Sequence, residues 1–233
     1  LSNVGMMKIA VFGYNKITYI QEIEVIPASG PFVTLVSNQV NGVATDLVNY
    51  NQSATIGVEL KNLGVEVATN LNVTLSSTSP YVTITDNTEA YGTLQPDQIV
   101  MISDAFGITV SPEVPNNTSI AFNLSIVGAE ATWETAFNLK AMAPEFSIGN
   151  YIINDPSGNG NGRLDPGETA EIKLMFTNDG LSQAVTTVGN LVFNSPFVTV
   201  NSAPFQISSV DAGQTVEAIF NISVNAGAPI GQA

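Results

Sequence analysis

"ATIGVELKNLG", residues 54–64, and "AEIKLMFTNDG", residues 170–180, decide the fold of this chain. Each alternates apolar and polar side chains, as a half-buried β-strand does, and each closes on a glycine at the strand end. They lie 116 residues apart. The same displacement sets "SPYVTI" (79–84) on "SPFVTV" (195–200) and "GTLQPDQ" (92–98) on "SSVDAGQ" (208–214). After a slip of two residues, "FGITVSPEVP" (106–115) meets "FNISVNAGAP" (220–229). Blocks matching in order at one displacement are the mark of an internal repeat. The glycines ending the strands are expected to supply turns with φ > 0, and the Ser-Pro pairs to open edge strands, where a missing N–H does no harm.

Around these blocks the chain continues as short strand-like runs, including "TNLNVTLSS", "YVTITD", "SIAFNLSIVG" and "EAIFNISVN", punctuated by Gly, Pro, Asn and Asp. Helical periodicity is scarce. About ten residues per strand and turn points to an all-β chain of tandem immunoglobulin-like antiparallel β-sandwiches. Residues 30–143 form the first complete module, and residues 144–233 a second, truncated before its last two strands. The first module finishes on "SIAFNLSIVGAEATWETAFNLKAMAP" (119–144), a predicted hairpin with no counterpart in the second. Residues 1–29, with "MKIAVFGYNKITYIQEIEVIP", read as the same closing β-hairpin of a preceding module. A sandwich short of two strands exposes an apolar edge, so residues 1–27 are expected to complement such a gap, within the chain or in a neighbouring copy.

Composition bounds the chemistry. The 233 residues hold 20 acidic and 6 basic side chains, a net charge of -14, which repels nucleic acid and anionic lipid. No apolar run reaches the roughly 18 residues of a membrane span, and any export signal is expected upstream of Leu1. With no cysteine and no histidine, the thiol nucleophile, the usual general base and the usual zinc ligands are missing. A glycosidase-type carboxylate pair is open on composition alone. Asp155 precedes Pro156, Ser157 and Gly158, so it does not sit in the Asp-Ser/Thr-Gly turn of aspartic peptidases.

The most distinctive local chemistry is "NDPSGNGNGRLDPGE", residues 154–168. On the calcium-loop template D-x-[DN]-x-[DN]-G-x5-E, Gly162 takes the turn, Leu164 the inward apolar position and Glu168 the bidentate end. Asn159 and Asn161 precede the turn. Asp165 stands where a ligand often acts through water. Ser157 falls at the template's first Asp, so the loop must bulge if Asp155 is to coordinate. The expected ligands are therefore Asp155, Asn159, Asn161, Asp165 and Glu168, around a structural calcium. In the first module the aligned stretch is "NGVATDLVNYNQS" (41–53), where Asn49 replaces Asp165 and Gln52 replaces Glu168; that copy should bind no metal. The plainer reading is a solvated loop ending in a DPGE turn. Strands flank the loop, so no helix pair is available to open on binding. An extracellular ion well above its dissociation constant would add on the order of 1–3 kcal/mol to stability.

"VFGYNKITYIQEIEVIP" (11–27) resembles the closing strands of the immunoglobulin-like domain behind the catalytic domain of gingipain-like cysteine peptidases of Bacteroidetes. "NGNGRLDPGETAEIKLMFTNDG" (159–180) is similar to modules found downstream in those and other exported proteins of that phylum. The resemblance implies an extracellular or cell-surface parent whose catalytic Cys and His lie upstream. This segment would then space, dock or stabilise the catalytic and neighbouring domains of the same polypeptide. The alternative is an adhesion or glycan-binding module. Glycan sites favour exposed aromatics, whereas Trp133 is expected in the core or at its rim and most phenylalanines in the core. The N-x-S/T sequons at Asn51, Asn72, Asn116, Asn117, Asn123 and Asn221 are expected of so Asn- and Thr-rich a chain.

Overall fold

The computed structural model describes residues 5–11, 13, 19–25 and 29–230. Parts of the N-terminal strand readings, around Phe12 and residues 14–18 and 26–28, lie outside the described residues. The chain is all-β, and the described residues contain no helix. In order the strands are β1 (Gly5–Val11), β2 (Tyr19–Val25), β3 (Val33–Val40), β4 (Leu47–Asn49), β5 (Ser53–Asn62), β6 (Ala68–Ser76), β7 (Val82–Asp86), β8 (Thr88–Leu94) and β9 (Ile99–Val110). They continue with β10 (Ser119–Val127), β11 (Thr132–Met142), β12 (Phe146–Asn154), β13 (Thr169–Asn178), β14 (Ala184–Gly189), β15 (Val198–Val200), β16 (Phe205–Val210) and β17 (Thr215–Val224).

Two compact units result, one of residues 1–112 with 119–140 and one of residues 113–118 with 141–233. In the first, one antiparallel sheet runs β3-β5-β9-β7 and another β4-β11-β10-β6-β8. Ile56, Val58 and Leu60 of β5 are fully buried, as are Leu71, Val73 and Leu75 of β6 and Ile120, Phe122, Leu124 and Ile126 of β10. On β6 and β10 these residues alternate with exposed or half-buried neighbours, which places one face of each strand in the core, whereas β5 is covered more fully. Phe122 and Phe137 stack there with ring centroids 5.3 Å apart. The buried Tyr91 hydroxyl on β8 donates to the Val58 carbonyl on β5 at 2.8 Å, tying one sheet to the other.

In the second unit β12-β13-β17-β15 and β14-β16 repeat the pairings β3-β5-β9-β7 and β6-β8. No strand corresponding to β10 or β11 follows β17 among the described residues. The β1–β2 pair runs in register from Gly5↔Val25 to Val11↔Tyr19 and joins no other sheet among the described residues.

The two-residue slip between the repeats has a structural cause. Along β5 and β9, Val58 faces Ile102 but Ile56 faces Phe106, so β9 carries two extra residues in a bulge. The counterpart pairs Leu174↔Ala218 and Ile172↔Phe220 follow without interruption. Gly57 sits opposite the bulge, where an added Cβ would lie 2.6 Å from the Ser103 carbonyl oxygen. Its counterpart in the unbulged repeat is Lys173. Gly57 is thus a close-approach glycine.

The expectation of positive φ is corrected at Gly64 and Gly180, which do not adopt it. Each is glycine because the incoming chain crosses it. A Cβ on Gly64 would strike the backbone at Gly30–Phe32, and one on Gly180 would strike Ala143–Glu145. Beside each glycine stands a fully buried asparagine. Asn62 Oδ1 accepts from Phe32 N at 3.0 Å and Gly64 N at 2.9 Å, while Nδ2 donates to Glu66 O at 2.7 Å and Leu94 O at 3.1 Å. Asn178 does the same with Glu145 N at 3.1 Å, Gly180 N at 3.0 Å, Ser182 O at 2.9 Å and Val210 O at 3.0 Å. All the hydrogen-bonding capacity of each amide is used on backbone.

Candidate metal centre

The loop between β12 and β13 is drawn inward by Asp155. This carboxylate is only 4% exposed and is offset by backbone donors: Oδ2 accepts from Asn161 N and Oδ1 from Gly162 N, both at 3.2 Å. Burying a carboxylate without such donors would be costly. Gly158 N donates to the Asp155 carbonyl at 2.9 Å, closing the tight turn that lets Asp155 reach past Ser157 into the loop. Gly160 and Gly162 have φ of +71° and +72°, where a side chain would be strained. Gly162 is therefore the turn the template calls for, and Leu164 packs on the apolar cluster of Ala170, Ile172 and Ile222.

Around this turn the other four side chains join one hydrogen-bonded knot. Asp165 Oδ2 accepts from Asn159 Nδ2 at 2.8 Å and Asn161 Nδ2 at 2.7 Å. Those two amides hold the Asp165 carboxyl below its ordinary range, with Arg163 a lesser contributor and burial opposing them. Glu168 Oε1 accepts from Asn159 N at 3.0 Å and Oε2 from Asp165 N at 3.2 Å. The amide oxygens of Asn159 and Asn161 face backbone, accepting from Asn161 N at 3.0 Å and Arg163 N at 2.8 Å. Gly158 packs against the Glu168 carboxylate so closely that a Cβ there would come within 2.6 Å of Glu168 Cδ.

All five residues singled out from the sequence are thus brought together. Their oxygens, however, are engaged by N–H donors rather than aimed at one point. No group of three or more Asp, Glu, His or Cys side chains among the described residues forms a ready-made metal cage.

The first repeat fixes the equivalent stretch by other means. There β4 is the edge strand beside β11, and Lys140 N donates to the Asp46 carbonyl at 2.7 Å. The second repeat, with no such strand beside it among the described residues, ties the segment by its own side chains. Glu168 closes this joint: its carbonyl accepts from Val224 N at 2.8 Å, and Gly167 N donates to Val224 O at 3.1 Å.

The aromatic readings divide. Trp133 lies half-buried at the rim of β11, opposite Ile126. Phe106, Phe122, Phe137 and Phe220 are core residues, but Phe32, Phe146 and Phe197 are exposed. The expectation that most phenylalanines are buried is corrected to that extent; Phe146 lies on β12, whose residues from Phe146 to Ile152 are exposed, and meets Phe176 edge-on. Sequence inspection missed the Asn62 and Asn178 knots, although the shared Asn-x-Gly spacing was their visible signal.

No protein-family model matches the chain, and no curated protein matches it. Among solved structures, it is 13% identical to the secreted serine protease VesC from Vibrio cholerae, with a TM-score of 0.30 over 83% of this chain and 48% of that one. The chain therefore spans about half the length of that protein. The YadV chaperone gives 12% identity and a TM-score of 0.30 over 83% and 87% of the two chains. A Porphyromonas gingivalis W83 protein of unknown function gives 14% and 0.26 over 82% and 84%. Likeness at this level carries no argument.

Proposed function

We propose that this chain is a non-catalytic structural and interaction segment of a large exported or cell-surface protein. It is built of immunoglobulin-like β-sandwich repeats of the kind that follow the catalytic domain in gingipain-like cysteine peptidases. One observation carries the reading: the side chains of the buried residues Asn62, Asp155 and Asn178 are spent on backbone hydrogen bonds that hold strands and loops in place. Their chemistry is architectural. The counterpart sheet pairings of the two units support the tandem immunoglobulin-like description.

The Asn154–Glu168 loop is the proposed seat of a structural calcium ion. Asp155, Asp165 and Glu168 supply hard carboxylate oxygens, and Asn159 and Asn161 supply amide oxygens, the donor set this ion prefers. Turning both amides over would exchange their nitrogens for oxygens beside Asp165, an exchange that costs little in volume. A calcium titration followed by thermal melting tests the proposal, with magnesium and chelator as controls. Calcium should raise the melting temperature of the wild-type chain and leave Glu168→Gln unmoved. Equal melting of the wild type in calcium and chelator would remove the ion from the reading. Strong hits on a glycan array would replace the scaffold by the adhesion alternative.

A further inference from the structure

Asn41–Gly42, Asn159–Gly160 and Asn161–Gly162 are the Asn-Gly steps of this chain. Such a step carries latent chemistry, because the glycine has no side chain to shield its nitrogen from the asparagine Cγ one residue back. Glycine also lets the peptide plane turn as ring closure requires. In the sequence the three steps look alike, but the fold holds each of them differently.

Asn41–Gly42 is the tip of a tight turn. Val40 N donates to Val43 O at 2.9 Å and Val43 N to Val40 O at 3.0 Å, bracketing the step. Asn41 N donates to Thr55 O and Asn41 Oδ1 accepts from Thr55 N, each at 2.9 Å. Turning this peptide plane would break the bracket. At Asn161–Gly162 the attacking nitrogen is already spent, since Gly162 N donates to the Asp155 carboxylate at 3.2 Å. Moving it would take a donor from a buried charge.

Asn159–Gly160 has neither restraint. Gly160 is exposed, its N–H meets no acceptor among the described residues, and a Cβ on it would find nothing within 4 Å. Asn161 N, donating to Asn159 Oδ1 at 3.0 Å, draws electron density from Cγ, the atom to be attacked. Both loop amides donate to Asp165, so that bond slows the two loop steps equally.

We propose that Asn159 is a self-modifying site, deamidated in the folded chain by attack of Gly160 N on its own Cγ. The N–Cγ bond forms, the Cγ–Nδ2 bond breaks, and the Gly160 amide proton leaves with the side-chain nitrogen as ammonia. Water then opens the resulting succinimide at either carbonyl, giving aspartate or isoaspartate and releasing a proton. No oxidant, cofactor or second protein takes part. Either product lacks the Nδ2 donation to Asp165 and sets a second carboxylate near it, with Arg163 the sole basic residue of the 154–168 segment. The knot therefore loosens as the molecule ages without an ion. On the calcium reading above, on which this last step alone rests, the added charge strengthens cation binding.

The test is tandem mass spectrometry of the full chain, incubated in mildly alkaline buffer and sampled over time, with a parallel series unfolded in urea. In the folded chain Asn159 should gain the mass of an acid about tenfold faster than Asn161, where one more hydrogen bond to a carboxylate must break. Asn41 should trail it as well. In urea the three should react at similar rates. Asn159→Gln should remove the fast phase and the ammonia released with it. Aged wild type and Asn159→Asp should melt below the fresh chain in chelator, and calcium should raise both by more than it raises the fresh chain. An Asn159 that keeps its amide, or an Asn41 or Asn161 that reacts as fast in the folded chain, overturns the proposal. The expected mass gain with melting indifferent to calcium upholds the modification and removes only the ion.

Discussion

Asn62 and Asn178 hold the same four kinds of backbone partner in the two units, through amides that are fully buried. Each pins the chain as it enters its unit to the end of the strand bearing the asparagine, and ties that strand to the facing sheet through Leu94 or Val210. A pair of knots so alike, in repeats with little else identical, identifies them as a fixed requirement of the unit.

Replacing Asn62 by Ala would strand buried N–H and C=O groups at the module entrance, at about 1–3 kcal/mol for each one that water cannot reach. Asn62→Asp keeps the acceptor and loses both donations, to Glu66 and Leu94. Chemical denaturation should show both variants destabilised in the first unit, and Asn178→Asp should lower the second unit's stability instead.

Gly57→Ala should cost about 1–3 kcal/mol, because the new methyl meets the backbone of Ser103 rather than a movable side chain. Lys173→Ala, at the matching position without a bulge, should change melting little. Equal effects at the two sites would refute the bulge as the reason for the glycine.

Gly158→Ala and Glu168→Gln act on one contact. The first pushes the carboxylate away and the second leaves it with one acceptor oxygen, so each should cost about 1–2 kcal/mol in the second unit. Being coupled, they should together cost less than the sum. Acid acts on the same loop through Asp165, whose folded carboxyl titrates below its ordinary value of 3.8. Its contribution is fully present above that value and fades as pH falls through the lower folded value. Asp165→Asn should flatten that part of the acid unfolding profile.

Tyr91 behaves in the opposite sense. Burial first, and the nearby Glu89 second, push its phenol well above the ordinary 10.0. Its neutral form stabilises the first unit fully below pH 10.0, and that contribution is lost as pH rises beyond it. Tyr91→Phe should cost about 1 kcal/mol at neutral pH through the unpaired Val58 carbonyl, and should weaken the alkaline loss of stability.

The sequence by itself determined the all-β class, the positions of most strands and the repeat, because alternation and turn residues are local properties of neighbours in the chain. It also marked Gly162 as a turn and Leu164 as an inward residue, since both follow from spacing within one loop. The slip of two residues even contained the β9 bulge, though nothing in one strand alone says which partner bulges. Tertiary structure decided the rest. Gly57, Gly64 and Gly180 are glycines because distant backbone passes over them, not because of their own φ. Asn62 and Asn178 matter for partners some 30 residues away, on the incoming chain and on a strand of the facing sheet. The loop's carboxylates were legible as a cluster, but which N–H each one accepts depends on how the chain closes over Asp155, a matter of three-dimensional packing that no spacing encodes.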